Sequence, residues 1–204
     1  MTPLPDRNTF VTAYAGVAPW DIGKPQAPLV AVADQVAGPV LDAGCGTGDA
    51  ALFFAARGVR VTGIDFIPEA IERAKAKATE RGLSVEFRVQ DALTLDQSDE
   101  RFASVIDSGL FHVFSDDDRR RYLRGLATVV QPGGRLFLMC FSDAEPGTHG
   151  PRRISRQELD GVFADGWEIE SVQPFQFQIN PEFKGATFSP GGPKAWFAIV
   201  RRKA

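Results

Sequence analysis

The stretch Val40-Leu-Asp-Ala-Gly-Cys-Gly-Thr-Gly48 lies directly after a turn and directly before a helical run, and it constrains the fold more than any other segment. A short apolar strand that ends in an acid and passes through three alternating glycines is a strand-to-helix turn. Only glycine lets backbone run this close to a ligand without a Cβ in the way. From Pro39 onward the pattern repeats: VLDAG, DAALFFAARG, VRVTGID, PEAIERAKAKATERG and SVEFRVQD alternate β-type runs with amphipathic helices. Strand, helix, strand, helix, strand predicts βαβ units.

The second helix of this series is signalled by Pro68 in its first turn, Glu69 and Glu72 at its positive end and Gly82 after it, with Ala70, Ile71, Ala74 and Ala78 as its apolar stripe. FASVIDSG is a fourth strand. SDDDRRRYLRGLATVV is a helix with Tyr122, Leu123, Leu126, Ala127 and Val130 on one face, and QPGG turns into a fifth strand, RLFLMCF. SRQELDGVFAD, WEIESVQPF and KAWFAIVRR follow as helix, strand and strand. Residues 176–193 carry three prolines and three glycines and no helical period, so the last strand is expected to return antiparallel. The expected fold is α/β: a Rossmann-like, seven-stranded, mainly parallel sheet with an antiparallel last strand and helices on both faces. Upstream, helices are expected over 6–15 and 27–37, separated by the loop PWDIGKPQ. One domain is expected over 1–204, with a helical cap or lid at 1–38 and the core at 39–204.

Composition narrows the function. With 204 residues, 44% apolar and 24% charged, the chain supports one core without metal or disulfide staples, and Cys45 and Cys140 form no disulfide framework. A net charge of −3 and a pI near 5.5 exclude a protein that coats nucleic acid. No run is long and apolar enough for a membrane helix and no secretory signal is visible, so a cytoplasmic location is expected.

Asp42, Gly44, Gly46 and Gly48 reproduce the acidic-x-Gly-x-Gly-x-Gly motif, and here the chain resembles the class I S-adenosylmethionine-dependent methyltransferases. Pro19-Trp-Asp-Ile-Gly-Lys-Pro-Gln26 and DSGLFHVFSDDDR, Asp107 to Arg119, resemble the thiopurine S-methyltransferase-like group, which includes thiol and halide methyltransferases and enzymes that methylate heterocyclic toxins. The resemblance spans Trp20 to Phe141. It implies S-adenosylmethionine as cofactor, S-adenosylhomocysteine as product, and a small-molecule acceptor. It also implies a cofactor site built from Trp20, Asp42, Gly44, Cys45, Gly46, Asp65, Phe66, Asp91, Ala92, Asp107 and Ser108. Asp65, at the end of the second strand, would accept the ribose hydroxyls. Asp91 would take the adenine amino group beside the Ala92 amide, and Trp20 would pack on the cofactor.

Two alternatives stay open at this level. Gly46-x-Gly48-x-x-Ala51 satisfies the degenerate fingerprint of an NAD(P)-dependent oxidoreductase, which leaves Asp91 and PWDIGKPQ unexplained. A catalytically silent S-adenosylmethionine-binding module is the other. Asp107-Ser-Gly-Leu-Phe111 differs from the Asn/Asp-Pro-Pro-aromatic signature of methyltransferases that act on nucleic-acid bases, so that class is set aside.

His112, after the fourth strand, is expected at the ligand-binding edge as a base that removes the acceptor's proton, or else as a pocket wall. Arg119 to Arg121 read as a solvated face neutralised by Asp116 to Asp118. No metal site is expected. Phe10, Tyr14, Trp20, Phe111, Phe114, Phe183 and Phe188 are expected to form a pocket for a flat aromatic or heterocyclic acceptor.

Overall fold

The computed structural model describes residues 5–204; residues 1–4, the start of the expected cap, lie outside the described residues. Seven strands form one sheet: β1 (Val40–Ala43), β2 (Val61–Asp65), β3 (Glu86–Val89), β4 (Phe102–Ser108), β5 (Val130–Phe141), β6 (Trp167–Gln176) and β7 (Lys194–Arg202), in the order β3-β2-β1-β4-β5-β7-β6. β1 to β5 pair in parallel, and β7 runs antiparallel between β5 and β6. The strand order reverses between β1 and β4, the crevice where open α/β sheets bind ligands.

Among the described residues, α1 (Arg7–Ala15) and α2 (Ala27–Ala31) precede the sheet, and α3 (Asp49–Ala55), α4 (Pro68–Glu80), α5 (Asp116–Val129) and α6 (Arg156–Val162) lie between strands. Strand side chains alternate between the faces of the sheet. Val40, Phe137 and Met139 therefore join the core under α3 and α4, whereas Leu41, Leu136, Leu138 and Cys140 join the one under α5 and α6. A third cluster, Tyr14, Ala18, Ile67 and Ala70 with Phe10 and Phe66 packed on it, seats α1 against the start of α4.

Three local expectations change. The helix expected over 27–37 stops at Ala31, followed by a 3-10 turn at Ala33–Gln35. Its continuation is drawn onto the sheet because the Ala37 N–H donates to Ser104 Oγ at 3.0 Å, and Pro39 disfavours helix in the residue before it. On α5 the buried face is Arg119, Tyr122, Gly125, Leu126 and Val129, while Leu123 and Ala127 are only partly covered and Val130 already belongs to β5. Gly125 sets this rotation: a Cβ there would sit 2.8 Å from the Leu95 side chain. Arg119 is thus not solvated. It is buried, paired with Glu158 at 2.7 Å and Asp116 at 3.3 Å, and lies over the Phe111 ring.

Candidate active site

The carboxyl ends of β1 to β5 open into one cavity of about 820 Å³, roofed by the segment from Pro5 to Gln26 and by the strap between β6 and β7. That volume suits a small-molecule site. Gly44, Gly46 and Gly48 all hold positive φ (69°, 53° and 85°), so the turn itself demands glycine. Packing within the protein demands it too, apart from any ligand. A Cβ would lie 3.2 Å from Leu110 at Gly44, 2.7 Å from Tyr14 Oη at Gly46 and 2.7 Å from Phe87 at Gly48.

Asp42 is buried and accepts the Ala51 N–H at 3.0 Å, tying β1 to the first turns of α3. Burial raises its pKa to about 7, and the nearby carboxylates of Asp65, Asp107 and Asp49 push the same way. Asp65 receives the Gly46 N–H on Oδ2 at 3.0 Å and the Ile67 N–H on Oδ1 at 2.9 Å, so it holds the glycine loop to the end of β2. Burial raises its pKa as well. Each Asp65 oxygen has a second lone pair with which to accept a hydroxyl. Phe66 lines the cavity edge-to-face with Phe10 at 5.5 Å. Asp91 is exposed at the rim and accepts the Leu93 N–H at 2.9 Å, with Ala92 buried beside it and both lining the cavity.

Trp20 and Tyr14 form the roof. The Trp20 Nε1–H donates to Tyr14 Oη at 3.0 Å, and the rings meet edge-to-face at 5.7 Å. The roof is anchored where it crosses the glycine loop: Thr47 Oγ1 donates to Asp21 at 2.8 Å, and Lys77 of α4 donates to Thr47 at 2.7 Å and to Asp49 at 2.8 Å. Gln26 and Asn180 join the roof to the strap. The Gln26 side chain exchanges two hydrogen bonds of 2.9 Å with the Gln178 backbone, and Asn180 Nδ2 donates to the Asp21 carbonyl at 2.7 Å.

Four expected site residues have other duties. Asp107 does not line the cavity; it is fully buried and accepts from the Leu110 and Phe111 amides and the Tyr122 hydroxyl, closing the turn after β4. Burial raises its pKa to about 6. Its neighbour Ser108 does line the cavity. Cys45 borders the cavity, but its N–H donates to Ile64, a Cβ on Gly63 would approach its thiol to 3.1 Å and the residue joins the buried core, so the thiol serves packing. Phe111 is fully buried, stacked on Phe163 at 6.2 Å, and not a pocket wall.

His112 is the fourth. It lines the cavity, but its Nδ1 accepts the Phe141 N–H at 2.8 Å. Burial and the Arg153 guanidinium push its pKa down to about 3. A base needs the lone pair that the Phe141 amide occupies, so the expected proton abstraction conflicts with this geometry. The pocket walls that sequence reasoning missed are Phe141 and Phe177. Phe141 sits in the apolar run of β5, where nothing in the sequence separates a wall from a core residue. Among the described residues, no group of three His, Cys, Asp or Glu side chains is placed to hold a metal ion, and no helix is long and apolar enough to cross a membrane.

Residues 40–134 match the family model described as a methyltransferase domain. Over 97% of the chain and 91% of the relative, the sequence is 35% identical to the 2-heptyl-1-hydroxyquinolin-4(1H)-one methyltransferase of Mycobacteroides abscessus. It is 28% identical to the probable thiol methyltransferase 2 of Arabidopsis thaliana, over 82% of the chain and 76% of that protein. Among solved structures, one described as converting a disulfide bond into a thioacetal group during echinomycin biosynthesis is similar at TM-score 0.83 and 36% identity, covering 97% of this chain and 93% of that one. The fold is shared with the 1,6-didemethyltoxoflavin-N1-methyltransferase of Burkholderia thailandensis, solved with 1,6-didemethyltoxoflavin and S-adenosylhomocysteine, at TM-score 0.76 and 23% identity over 100% and 93% of the two chains. With its glycine turn, the acids at the carboxyl ends of β1, β2 and β3 and near-full-length kinship to a named methyltransferase, the chain belongs to the class I S-adenosylmethionine-dependent methyltransferases that act on small molecules.

Proposed function

We propose that this enzyme methylates a ring-borne heteroatom, foremost an oxygen, of a flat aromatic heterocycle in the cytoplasm. The observation that carries the reading is the division of the cavity. Its β1–β3 side bears Asp42, Asp65 and Asp91, and its β5 and strap side is lined by Phe141, Phe177, Phe183 and Phe188. Carboxylates suit a cationic cofactor, and an aromatic wall suits a flat acceptor. The hydroxyquinolinone named for the Mycobacteroides relative and the 1,6-didemethyltoxoflavin bound in the Burkholderia structure are both fused heterocycles, which supports this acceptor class. Two free, buried thiols, Cys45 and Cys140, fit a reducing compartment.

S-adenosylmethionine, when bound, supplies a methyl carbon activated by a sulfonium. Asp65 would accept the ribose hydroxyls with its remaining lone pairs. Asp91 and the Ala92 amide would meet the adenine, and Ser108 and the Gly44–Gly46 backbone would border the amino-acid end. Trp20 and Tyr14 would then close residues 5–38 over it as a cap on the core. Asp42 would shape the turn from within through the Ala51 amide. Holding the acceptor atom about 3 to 3.5 Å from the methyl carbon, in line with the bond that breaks, accounts for roughly 7 to 11 kcal/mol of the barrier. The protein builds no new charge in this displacement, so placement and exclusion of water dominate.

The test is thermal unfolding with S-adenosylhomocysteine or NADH, followed by mass spectrometry of 2-heptyl-1-hydroxyquinolin-4(1H)-one incubated with enzyme and cofactor. S-adenosylhomocysteine should stabilise the fold at micromolar concentration and the quinolinone should gain one methyl group. Stabilisation by NADH alone would return the chain to the oxidoreductase alternative.

A further inference from the structure

We infer that His112 is a hydrogen-bond donor that selects the acceptor as an oxyanion and holds it, so that the enzyme supplies no base. This deepens the function proposed above and rests on it. The Phe141 amide, at 2.8 Å, fixes the tautomer: with Nδ1 as acceptor, the neutral imidazole carries its proton on Nε2. Exchanging that arrangement would orphan a buried backbone N–H. The ring is clamped edge-to-face by Phe141 at 4.9 Å and Phe177 at 6.2 Å. Nε2 sits beside a glycine, in a side chain that lines the cavity. A Cβ on Gly109 would approach it to 3.4 Å, and Gly109 has φ +94°, so the backbone there also disfavours a side chain.

The charged groups around the ring agree. Arg153, from the segment before α6, lies over the outer Phe141 ring at 5.2 Å and is held by the carbonyls of Glu145, Pro146, His149 and Pro151. Its carboxylate neighbour, Glu145, is buried and engaged by the Ser189 and Lys194 amides. Asp107, on the turn below, is consumed by Leu110, Phe111 and Tyr122, and Asp118 at the mouth accepts from Ser115 Oγ at 2.6 Å. The Gly109 carbonyl favours a proton on the imidazole, but burial and Arg153 outweigh it, so the ring is neutral at physiological pH. The acceptor end thus offers an N–H, with the Arg153 guanidinium, outside the cavity lining, against the Phe141 ring, whereas Asp42, Asp65 and Asp91 line the β1–β3 side.

The chemistry follows and balances. The acceptor hydroxyl loses its proton to solvent before binding. Its oxygen lone pair attacks the methyl carbon, the O–C bond forms, the C–S bond breaks with its electron pair on sulfur, and the negative and positive charges cancel. Because the transition state is less charged than the bound pair, aromatic walls favour it over the reactants. The donor acts mainly on the bound anion, so its loss should raise KM more than it lowers kcat.

The experiment uses the full-length enzyme saturated with S-adenosylhomocysteine and the probe 2-heptyl-1-hydroxyquinolin-4(1H)-one, whose ionisation is followed by absorbance. Wild type should bind the probe as its anion, with an apparent pKa at or below the value in free solution. His112→Ala should weaken binding roughly 10- to 150-fold above that pKa, the range for a hydrogen bond to a charged group. His112→Gln has an oxygen for the Phe141 amide and an N–H for the acceptor, so it should restore binding, and thermal unfolding confirms that both variants fold. In turnover, kcat/KM should rise with the probe's own ionisation in all three proteins. Four results would overturn the proposal: a neutral bound probe, no probe binding to enzyme that has bound S-adenosylhomocysteine, no effect of His112→Ala, or His112→Gln as impaired as His112→Ala, which marks a proton acceptor. Failure of S-adenosylhomocysteine itself to bind would instead remove the methyltransferase reading, and this proposal with it.

Discussion

Replacing Gln26 with alanine should loosen the roof and the strap together. Gln26 is buried, and its Nε2 and Oε1 each make a 2.9 Å hydrogen bond to the backbone of Gln178, which lies 152 residues away in the chain. Both bonds are neutral, so each contributes a net ~0.5 to 1.5 kcal/mol. Gln178 is exposed, and its freed N–H and C=O can turn to water without the penalty of a buried orphan. The summed loss, about 1 to 3 kcal/mol, corresponds to roughly 5- to 150-fold more frequent opening. Hydrogen exchange followed by mass spectrometry should show amides of residues 7–31 and 177–193 exchanging faster by similar factors, with α5 and the middle of β5 unchanged. Saturating S-adenosylhomocysteine should slow both segments again if the two move as one cover. Faster exchange in the strap alone, with the roof at its wild-type rate, would refute the coupling, because the shared bonds would then be incidental to closure.

Asp42→Asn should change the pH dependence of stability. The native carboxyl holds its proton up to about pH 7, whereas the unfolded chain releases it near the ordinary value of 3.8, so the unfolded state binds fewer protons in that window and this group's contribution falls as pH rises. His112 works in the opposite sense, gaining stability as pH rises from about 3 toward 6.5, but it is common to both proteins. Denaturant unfolding should therefore show the variant gaining about 1 kcal/mol relative to wild type between pH 6 and pH 7; a constant difference would place the Asp42 pKa outside this range. Gly46→Ala puts a Cβ 2.7 Å from Tyr14 Oη at a φ of 53°, costing about 1 to 2 kcal/mol for the backbone alone. Calorimetry should show weaker S-adenosylhomocysteine binding that Gly46→Ala/Tyr14→Phe partly recovers, and no recovery would assign the whole effect to the backbone.

Local sequence determined what depends on neighbours in the chain. The alternation of β-type runs and amphipathic helices dictated the sheet, since a strand buried on both faces must be apolar throughout, and the Pro68, Glu69 and Gly82 signals bounded α4 because caps are made by adjacent residues. The antiparallel β7 was legible for a related reason: residues 176–193 contain no helix with which to cross over. The acids at the carboxyl ends of β1, β2 and β3 were legible as site candidates because the chain leaves every parallel strand at the same edge of the sheet. Tertiary structure decided the duties that depend on distant partners. Asp107 and Ser108 are adjacent in sequence, yet the first is consumed by Tyr122 and two turn amides while the second meets the cavity. The Nδ1 lone pair that a base at His112 would need is taken by one amide 29 residues away. The long-range bonds of Gln26, Lys77 and Asn180 carried no signal, because a hydrogen bond between residues 30 to 159 positions apart leaves no periodicity or spacing to read.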